Sequence, residues 1–218
     1  MATKASSTNG VEIDLTTGVG TAVTGLSFTA GKPATLTGTG LTLAAGDVVS
    51  ISKSGSSKLD GTWIVAATPA PTATAVTLMG TDTTGETAGA LPGTAVVTHF
   101  AKADLTGLCL ASFDVSVEQP GTLAVGTFCE PSATLPVPAT SAGTVAITGF
   151  TDVTDAGYLA IMAAAGDNKP HTIRIKLPNN GFLVMEGQIS GLSWQVALNE
   201  AQRWSATITL SKPPKHVF

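Results

Sequence analysis

The sequence predicts a mainly β protein: a β-sandwich or barrel-like domain with one flanking α-helix and a small inserted all-β domain. Segments 172–177, 192–198 and 204–210 alternate apolar and polar residues, and a period of two places one side-chain set on a core face. Only 12% of the 218 residues are charged and 24 are Gly, which is typical of short strands joined by tight turns. One Ala-rich segment interrupts the strands and predicts the helix.

The inserted domain is predicted at residues 31–98, and the main domain comprises residues 1–30 and 99–218. The residue pattern changes at both boundaries, where Gly and Pro indicate turns. Inside the insertion, Asp60-Gly61 favours a tight turn between strands. The strands predicted there centre on Val49, Trp63 and Val76.

The helix is predicted at about 152–165. The segment 151–155 offers an N-cap oxygen, and Asp152 and Asp155 place carboxylates near the positive end of the helix dipole. Gly166 can end the helix in the left-handed conformation. The apolar stripe that follows Tyr158 is broad, so this face packs on the sheet and part of it is a candidate contact with a neighbouring subunit.

The polar residues do not form a plausible catalytic set. The three histidines, His99, His171 and His216, are far apart, and none has a Cys or carboxylate at metal-ligand spacing. Helix capping explains Asp152 and Asp155 better than acid–base catalysis does. We therefore expect no enzyme, no metal site and no cofactor.

The net charge of −4 argues against nucleic-acid binding through phosphate neutralisation, since no stretch concentrates Lys and Arg. The first ten residues are polar and no apolar run approaches the length of a membrane span, so we expect neither a secretory leader nor a membrane segment. Without a leader, Cys109 and Cys129 are expected as free thiols, although cross-strand pairing stays open.

Several short motifs follow one another along the main domain. Residues 5–14, the segment Gly126-Thr-Phe-Cys-Glu130, residues 143–150, the Ala-rich helix, and residues 186–193 followed by 204–208 resemble the major tail tube proteins of long-tailed, siphovirus-type bacteriophages. Within the insertion, residues 46–49, 59–63 and 76–83 resemble a small β module that recurs inside phage virion proteins.

The resemblance implies a structural virion protein. Six copies would close into a ring, and rings would stack into a hollow tube that encloses the tape measure protein and then conducts DNA during ejection. Tail tip or baseplate proteins and the tail terminator would be partners at the tube ends, and assembly would take place in the host cytoplasm. The inserted module would lie outside the tube, because a lumen has no room for six of them. Six chains of net charge −4 carry −24, which repels phosphate if the charge faces inward.

Three acids are candidates for the lumen wall. Asp114 and Glu118 alternate with apolar neighbours and so share an outward face, and Glu186 lies in a later predicted strand. An ordinary solvated face is the alternative for all three. The N-terminal arm and the Pro-rich loop 131–140 are predicted docking elements. Their candidate inter-ring or inter-subunit residues are Lys4, Ser7, Asn9, Pro131, Leu135, Pro136 and Pro138.

A second class of function remains possible on the sequence: a secreted or surface β-sandwich module that binds a glycan or a protein. Glycan sites need exposed aromatic side chains, whereas Trp63, Trp194 and Trp204 all fall on predicted inward-facing positions. Together with the absence of a leader, this favours the tail tube interpretation.

Overall fold

The computed structural model describes residues 11–18, 20–117, 142–178, 181–196 and 201–217, together with the backbone of 121–124 and 134–137. The protein is mainly β, with several antiparallel sheets, and this level of the predicted fold class is confirmed. Within the described residues the only α-helix is α1 (Ala156–Asp167).

The largest sheet, called the main sheet, has eight antiparallel strands. They are β1 (Glu12–Thr16), β10 (Leu105–Gly107), β11 (Ser112–Ser116), β14 (Thr144–Phe150), β15 (His171–Lys176), β16 (Phe182–Gln195), β17 (Arg203–Leu210) and β18 (Lys215–Val217). The spatial order is β10-β1-β15-β16-β17-β14-β11, and β18 pairs with the start of β16. Strands β15 and β17 coincide with two of the alternating segments that predicted them.

One face of the main sheet, the core face, packs against α1. The shared core includes Ile173, Met185, Trp204 and Ile208 from the sheet and Ile161 from the helix. Gly149 on β14 leaves the space that this packing needs, since a Cβ there would lie 2.6 Å from the Trp204 ring.

The helix begins four residues later than the predicted start at 152. Asp155 is its N-cap, because the Asp155 carboxylate accepts a hydrogen bond from the Tyr158 backbone N–H at 2.8 Å. Asp152 belongs to the preceding turn, where its carboxylate accepts from the backbone N–H and the hydroxyl of Thr154. At the other end, Asn168 adopts the left-handed conformation with φ 54°, so Gly166 lies inside the helix rather than ending it.

The strands between β1 and β10 form two four-stranded sheets, called the small sheets. The first contains β2 (Thr21–Val23), β5 (Val48–Ser52), β6 (Gly61–Ile64) and β9 (Val96–Phe100), in the order β2-β9-β5-β6. The second contains β3 (Ser27–Thr29), β4 (Ala34–Thr37), β7 (Ala75–Leu78) and β8 (Gly89–Ala90), in the order β7-β4-β3-β8. They share a core that includes Leu36, Ile51, Leu59 and Trp63.

Strand pairing in the small sheets extends beyond the predicted insertion of residues 31–98. Strands β2 and β3 precede residue 31, yet β2 pairs with β9 and β3 pairs with β4 and β8. The paired strands therefore run from Thr21 to Phe100. Whether this unit folds independently of the main sheet stays a prediction.

The small sheets cover part of the second face of the main sheet. Val48 and Ile64 from the small sheets form one buried cluster with Leu105, Val184 and Val217 from the main sheet and its flanking strands. This contact divides the second face into a covered half on β1, β15 and the start of β16, and an uncovered half on β17, β14 and β11.

Candidate functional site

The uncovered half carries mostly hydroxyl side chains. On β11, β14 and β17, outward residues that lie opposite one another form three rows of three. We call these nine residues the hydroxyl face. Seven of the nine are Ser or Thr, and most are exposed, while the alternate residues of the same strands point into the core. The rows are Ser112, Thr148 and Ser205; Asp114, Ala146 and Thr207; and Ser116, Thr144 and Thr209.

The hydroxyls bond to one another across the strands. The oxygens of Ser112 and Thr148 are 2.6 Å apart. On the β16 side, the oxygens of Ser205 and Ser193 are 2.7 Å apart, and the Thr209 hydroxyl donates to that of Ser190 at 2.8 Å. Lateral pairing leaves a flat polar surface of neutral groups that water can solvate without strong binding sites for ions.

Asp114 is the single ionisable residue of the hydroxyl face. It lies exposed at the middle of β11, opposite Ala146. The nearest cation along β17 is Arg203 at the strand end, whose guanidinium lies 5.4 Å from the centroid of the Phe150 ring. Asp114 is thus where the sequence predicted it, on an outward position of an exposed strand.

Glu186 lies on the same second face but in a different environment. Its carboxylate accepts from the Thr62 hydroxyl of the small sheets at 3.3 Å and forms an ion pair with Lys212 at 3.6 Å. Its side chain is only 22% exposed, so Glu186 belongs to the border of the covered half rather than to the hydroxyl face. The third candidate acid, Glu118, lies outside the described residues.

The main sheet ends at β11, which pairs with β14 alone among the described strands. Next along the chain, β12 (Gly121–Ala124) and β13 (Thr134–Val137) form a separate two-stranded sheet. Two of the predicted contact residues lie on β13, where Leu135 and Pro136 pair with Leu123 and Thr122. The other predicted contact residues, Lys4, Ser7, Asn9, Pro131 and Pro138, lie outside the described part of the chain.

The covered half contains a buried ion pair. The Arg174 guanidinium donates to the Asp14 carboxylate from Nη2 at 2.6 Å and from Nε at 3.1 Å, and both residues are at most 2% exposed. Arg174 Nη1 also donates to the carbonyl of Gly46 in the small sheets. Gly46 has φ +86°, a conformation that favours glycine and turns this carbonyl towards the guanidinium. Arg174 alternates with the core residues Ile173 and Ile175 and so faces away from the core that α1 covers, but the small sheets bury it.

A second polar contact joins the two parts of the protein near Glu186. The Lys215 ammonium lies 3.7 Å above the centroid of the Trp63 ring. Burial, together with the charge of Lys212, lowers the pKa of Lys215. The small sheets are therefore joined to the covered half by apolar packing, by the hydrogen bond from Arg174 to Gly46 and by a cation–π contact.

Two of the three tryptophans are buried on the side that alternation predicts, and the third lies on that side but is exposed. Trp63 and Trp204 are buried, whereas Trp194 is 52% exposed. Trp194 lies opposite Trp204 in the register, on the face that carries α1, but near the end of β16, where the strand is mostly exposed. There the Trp194 indole N–H donates to the Tyr158 hydroxyl at 3.1 Å. Other exposed apolar residues on or near α1 and the end of β16 are Val153, Leu159 and Val196.

Two histidines have carboxylate partners, one far away in the chain and one only four residues away. His99 Nε2 lies 2.7 Å from Asp47 in the small sheets, and His171 Nε2 lies 3.1 Å from Asp167 at the end of α1. Searching the described residues finds no cluster of three His, Cys, Asp or Glu that could hold a metal ion. Cys109 is exposed, whereas Cys129 lies outside the described residues.

Asp152 and Asp155, the carboxylates nearest the helix start, have structural partners. Asp155 caps α1, and hydrogen bonds from the hydroxyl and backbone N–H of Thr154 lower the pKa of Asp152.

Of the helices in the described part of the chain, none is long and apolar enough to cross a membrane.

Comparison with known proteins adds no relative. No protein-family model matches the chain, and no curated protein sequence matches it. Function is therefore inferred from the residues described above and from the order of motifs in the sequence.

Proposed function

We propose that this chain is a structural virion protein that polymerises as stacked, hexameric rings into the hollow tail tube of a long-tailed phage. The tube encloses the tape measure protein, joins the tail tip and terminator proteins at its ends, and conducts DNA during ejection. The observation that carries this proposal is the hydroxyl face: a broad, exposed strand surface with few charges that ends at β11, which pairs with β14 alone among the described strands.

A DNA channel needs a wall that neither holds nor blocks a polyanion. Lys and Arg on the wall would bind phosphates and release counterions, which would slow transit. The hydroxyl face contains neither residue among its nine positions, and Asp114 contributes one carboxylate from each subunit. On the same side, Arg203 stands only at the end of β17, where its guanidinium lies against the Phe150 ring. In a six-fold ring these carboxylates repel phosphate weakly around the whole circumference.

Ring closure needs a directional contact between copies. Strand β11 pairs with β14 on one side and with no other strand of the described part of the chain, so a strand of the next subunit can extend the sheet there. Repetition of a head-to-tail contact that closes by rotation gives a ring, and a closed barrel of strands has no exposed edge. The β12–β13 hairpin and the N-terminal arm supply contacts between rings in this proposal.

Electron microscopy of the purified, concentrated protein tests assembly. The wild-type chain is expected to form rings or tubes. The double variant Ser112→Lys/Ser116→Lys places two ammonium groups on the edge strand, where Lys opposes strand addition, and is expected to stay monomeric. Circular dichroism and thermal unfolding check that the variant is folded.

A matched control carries the same charge change on the next two strands inward. Thr144→Lys/Thr207→Lys places two exposed lysines on β14 and β17, away from the edge, and tubes are expected to form. Tubes of normal length from the edge variant, or monomers from the wild-type chain under all conditions, would contradict the proposal.

A binding module for a glycan or protein ligand is the second candidate, and exposed Trp194 favours it. A half-exposed indole held by Tyr158 can stack on a sugar ring. Retention of the wild-type chain on an immobilised glycan, lost in Trp194→Phe and Trp194→Ala in graded steps, would support this function. No retention on any glycan, with tubes present, would remove it.

A further inference from the structure

A cleft of about 690 Å³ lies where the small sheets meet the covered half of the main sheet. This volume is in the range of small-molecule sites, which measure roughly 300–1,000 Å³. Its apolar lining comes from both parts of the protein, with Val65, Ala66 and Met79 from the small sheets and Phe182 from β16. The cleft is thus apolar and formed at a junction between sheets.

The charged residues that line the cleft are mostly cationic. Lys32, Lys102, Arg174 and Lys176 lie at its walls with one acid, Glu12. This excess is local, because the whole chain has a net charge of −4. Within a low-dielectric cleft such an excess attracts an anion more strongly than on open surface.

Three of the four cations have carboxylate partners. Arg174 pairs with buried Asp14, Lys176 lies 3.6 Å from Glu12, and Lys32 lies 3.2 Å from Asp82. The ammonium of Lys102 has no ion pair among the described residues, so it is the cation available to a ligand.

The backbone at Lys102 is held in place. Its N–H donates to the Asp47 carboxylate at 2.8 Å, and Asp47 also bonds His99 at 2.7 Å and accepts from the Ala44 N–H at 2.8 Å. Asp104, in the same single turn (Lys102–Asp104), accepts from the Ala101 N–H at 2.9 Å. The backbone that carries the Lys102 side chain is therefore fixed beside the cleft, and the exposed side chain reaches a ligand from a defined starting point.

We propose that the cleft binds a free small organic carboxylate with an apolar body, whose carboxylate pairs with Lys102 while its body contacts the wall around Met79 and Phe182. Charge complementarity and the apolar lining select this class together. A bare anion lacks the apolar contact, and a neutral apolar molecule lacks the ion pair. The inference is independent of tube assembly.

Titration calorimetry with hexanoate, acetate and 1-hexanol tests the proposal on the full chain. Hexanoate is expected to bind with a stoichiometry of one, and acetate and 1-hexanol at least about tenfold more weakly, which corresponds to about 1.4 kcal/mol for each missing part. Lys102→Glu should weaken hexanoate binding by about tenfold or more, whereas Lys102→Arg should retain it.

Two further variants locate the site. Lys169→Glu makes the same charge change just after α1, at a residue that does not line the cleft, and should leave hexanoate binding unchanged. Ala67→Trp fills the cleft from an exposed lining position and should abolish binding. The proposal is overturned if hexanoate fails to bind, if it binds no better than 1-hexanol, or if Lys102→Glu and Lys169→Glu have equal effects.

Discussion

The two halves of the second face of the main sheet differ in what covers them. On the covered half, Asp14, Arg174 and Val184 are buried beneath the small sheets. On the uncovered half, outward positions of β14 and β17 carry hydroxyls such as Thr144 and Thr209. A period of two assigns a residue to a face, but the cover on that face decides whether the residue is core or surface.

Strand β16 crosses from one half to the other and shows the change residue by residue. Val184 is buried in the cluster with Val48 and Ile64, Glu186 is half-buried at the border, and Ser190 is exposed. The change from apolar to charged to hydroxyl along one strand follows the loss of cover. We interpret the covered half as an internal interface and the uncovered half as a surface kept for water or a passing polyanion.

The largest change in the free energy of unfolding is expected from a substitution on the covered half. Arg174→Ala leaves the Asp14 carboxylate buried without its partner, and we expect the free energy of unfolding to fall by roughly 3–5 kcal/mol. Urea unfolding measures the change. The control is Lys176→Ala, on the same strand as Arg174. It removes the partly exposed ion pair with Glu12 of β1 and should lower the free energy of unfolding by about 0–1 kcal/mol. Equal losses would mean that the small sheets do not bury the Arg174 pair in solution.

An intermediate effect is expected for the apolar contact between the sheets. Val184→Ala removes two methyl groups' worth of packing from the shared cluster, and the free energy of unfolding should fall by roughly 1–3 kcal/mol. The comparison variant is Thr209→Ala on the uncovered half, which should change it by no more than about 0.5 kcal/mol. If both variants unfold at the same urea concentration as the wild type, the covered half is not a packed interface.

Changes on the hydroxyl face are expected to have the smallest effect on stability, but they should affect function. Thr144→Lys/Thr207→Lys should change the free energy of unfolding by no more than about 1 kcal/mol, since both positions are exposed. Phage particles built from this variant should eject DNA slowly, because lysines on the wall bind phosphate, and the delay should shrink as salt rises. Ejection at the wild-type rate in low salt would place the hydroxyl face away from the channel.

Sequence alternation could predict strands such as β15 and β17, since it reports a local period, and the mainly β class followed from it. It could also place Asp114 on an outward position. It could not show that the small sheets bury Arg174, nor that Asp47 lies beside His99, since these contacts join residues far apart in the chain. Alternation places Trp194 on the core side but could not show its exposure, because where the core ends is a tertiary feature. The helix start moved to Asp155 because two carboxylates could cap it, and sequence alone does not choose between them.

Cryo-electron microscopy of the assembled protein tests the central claim most directly, because it shows which face of the main sheet surrounds the axis. We expect hollow tubes in which β17, β14 and β11 line the lumen, with Asp114 and Thr207 towards the axis and the small sheets outside. A tube with the small sheets at the axis, or with the hydroxyl face buried against a neighbouring ring, would contradict the account.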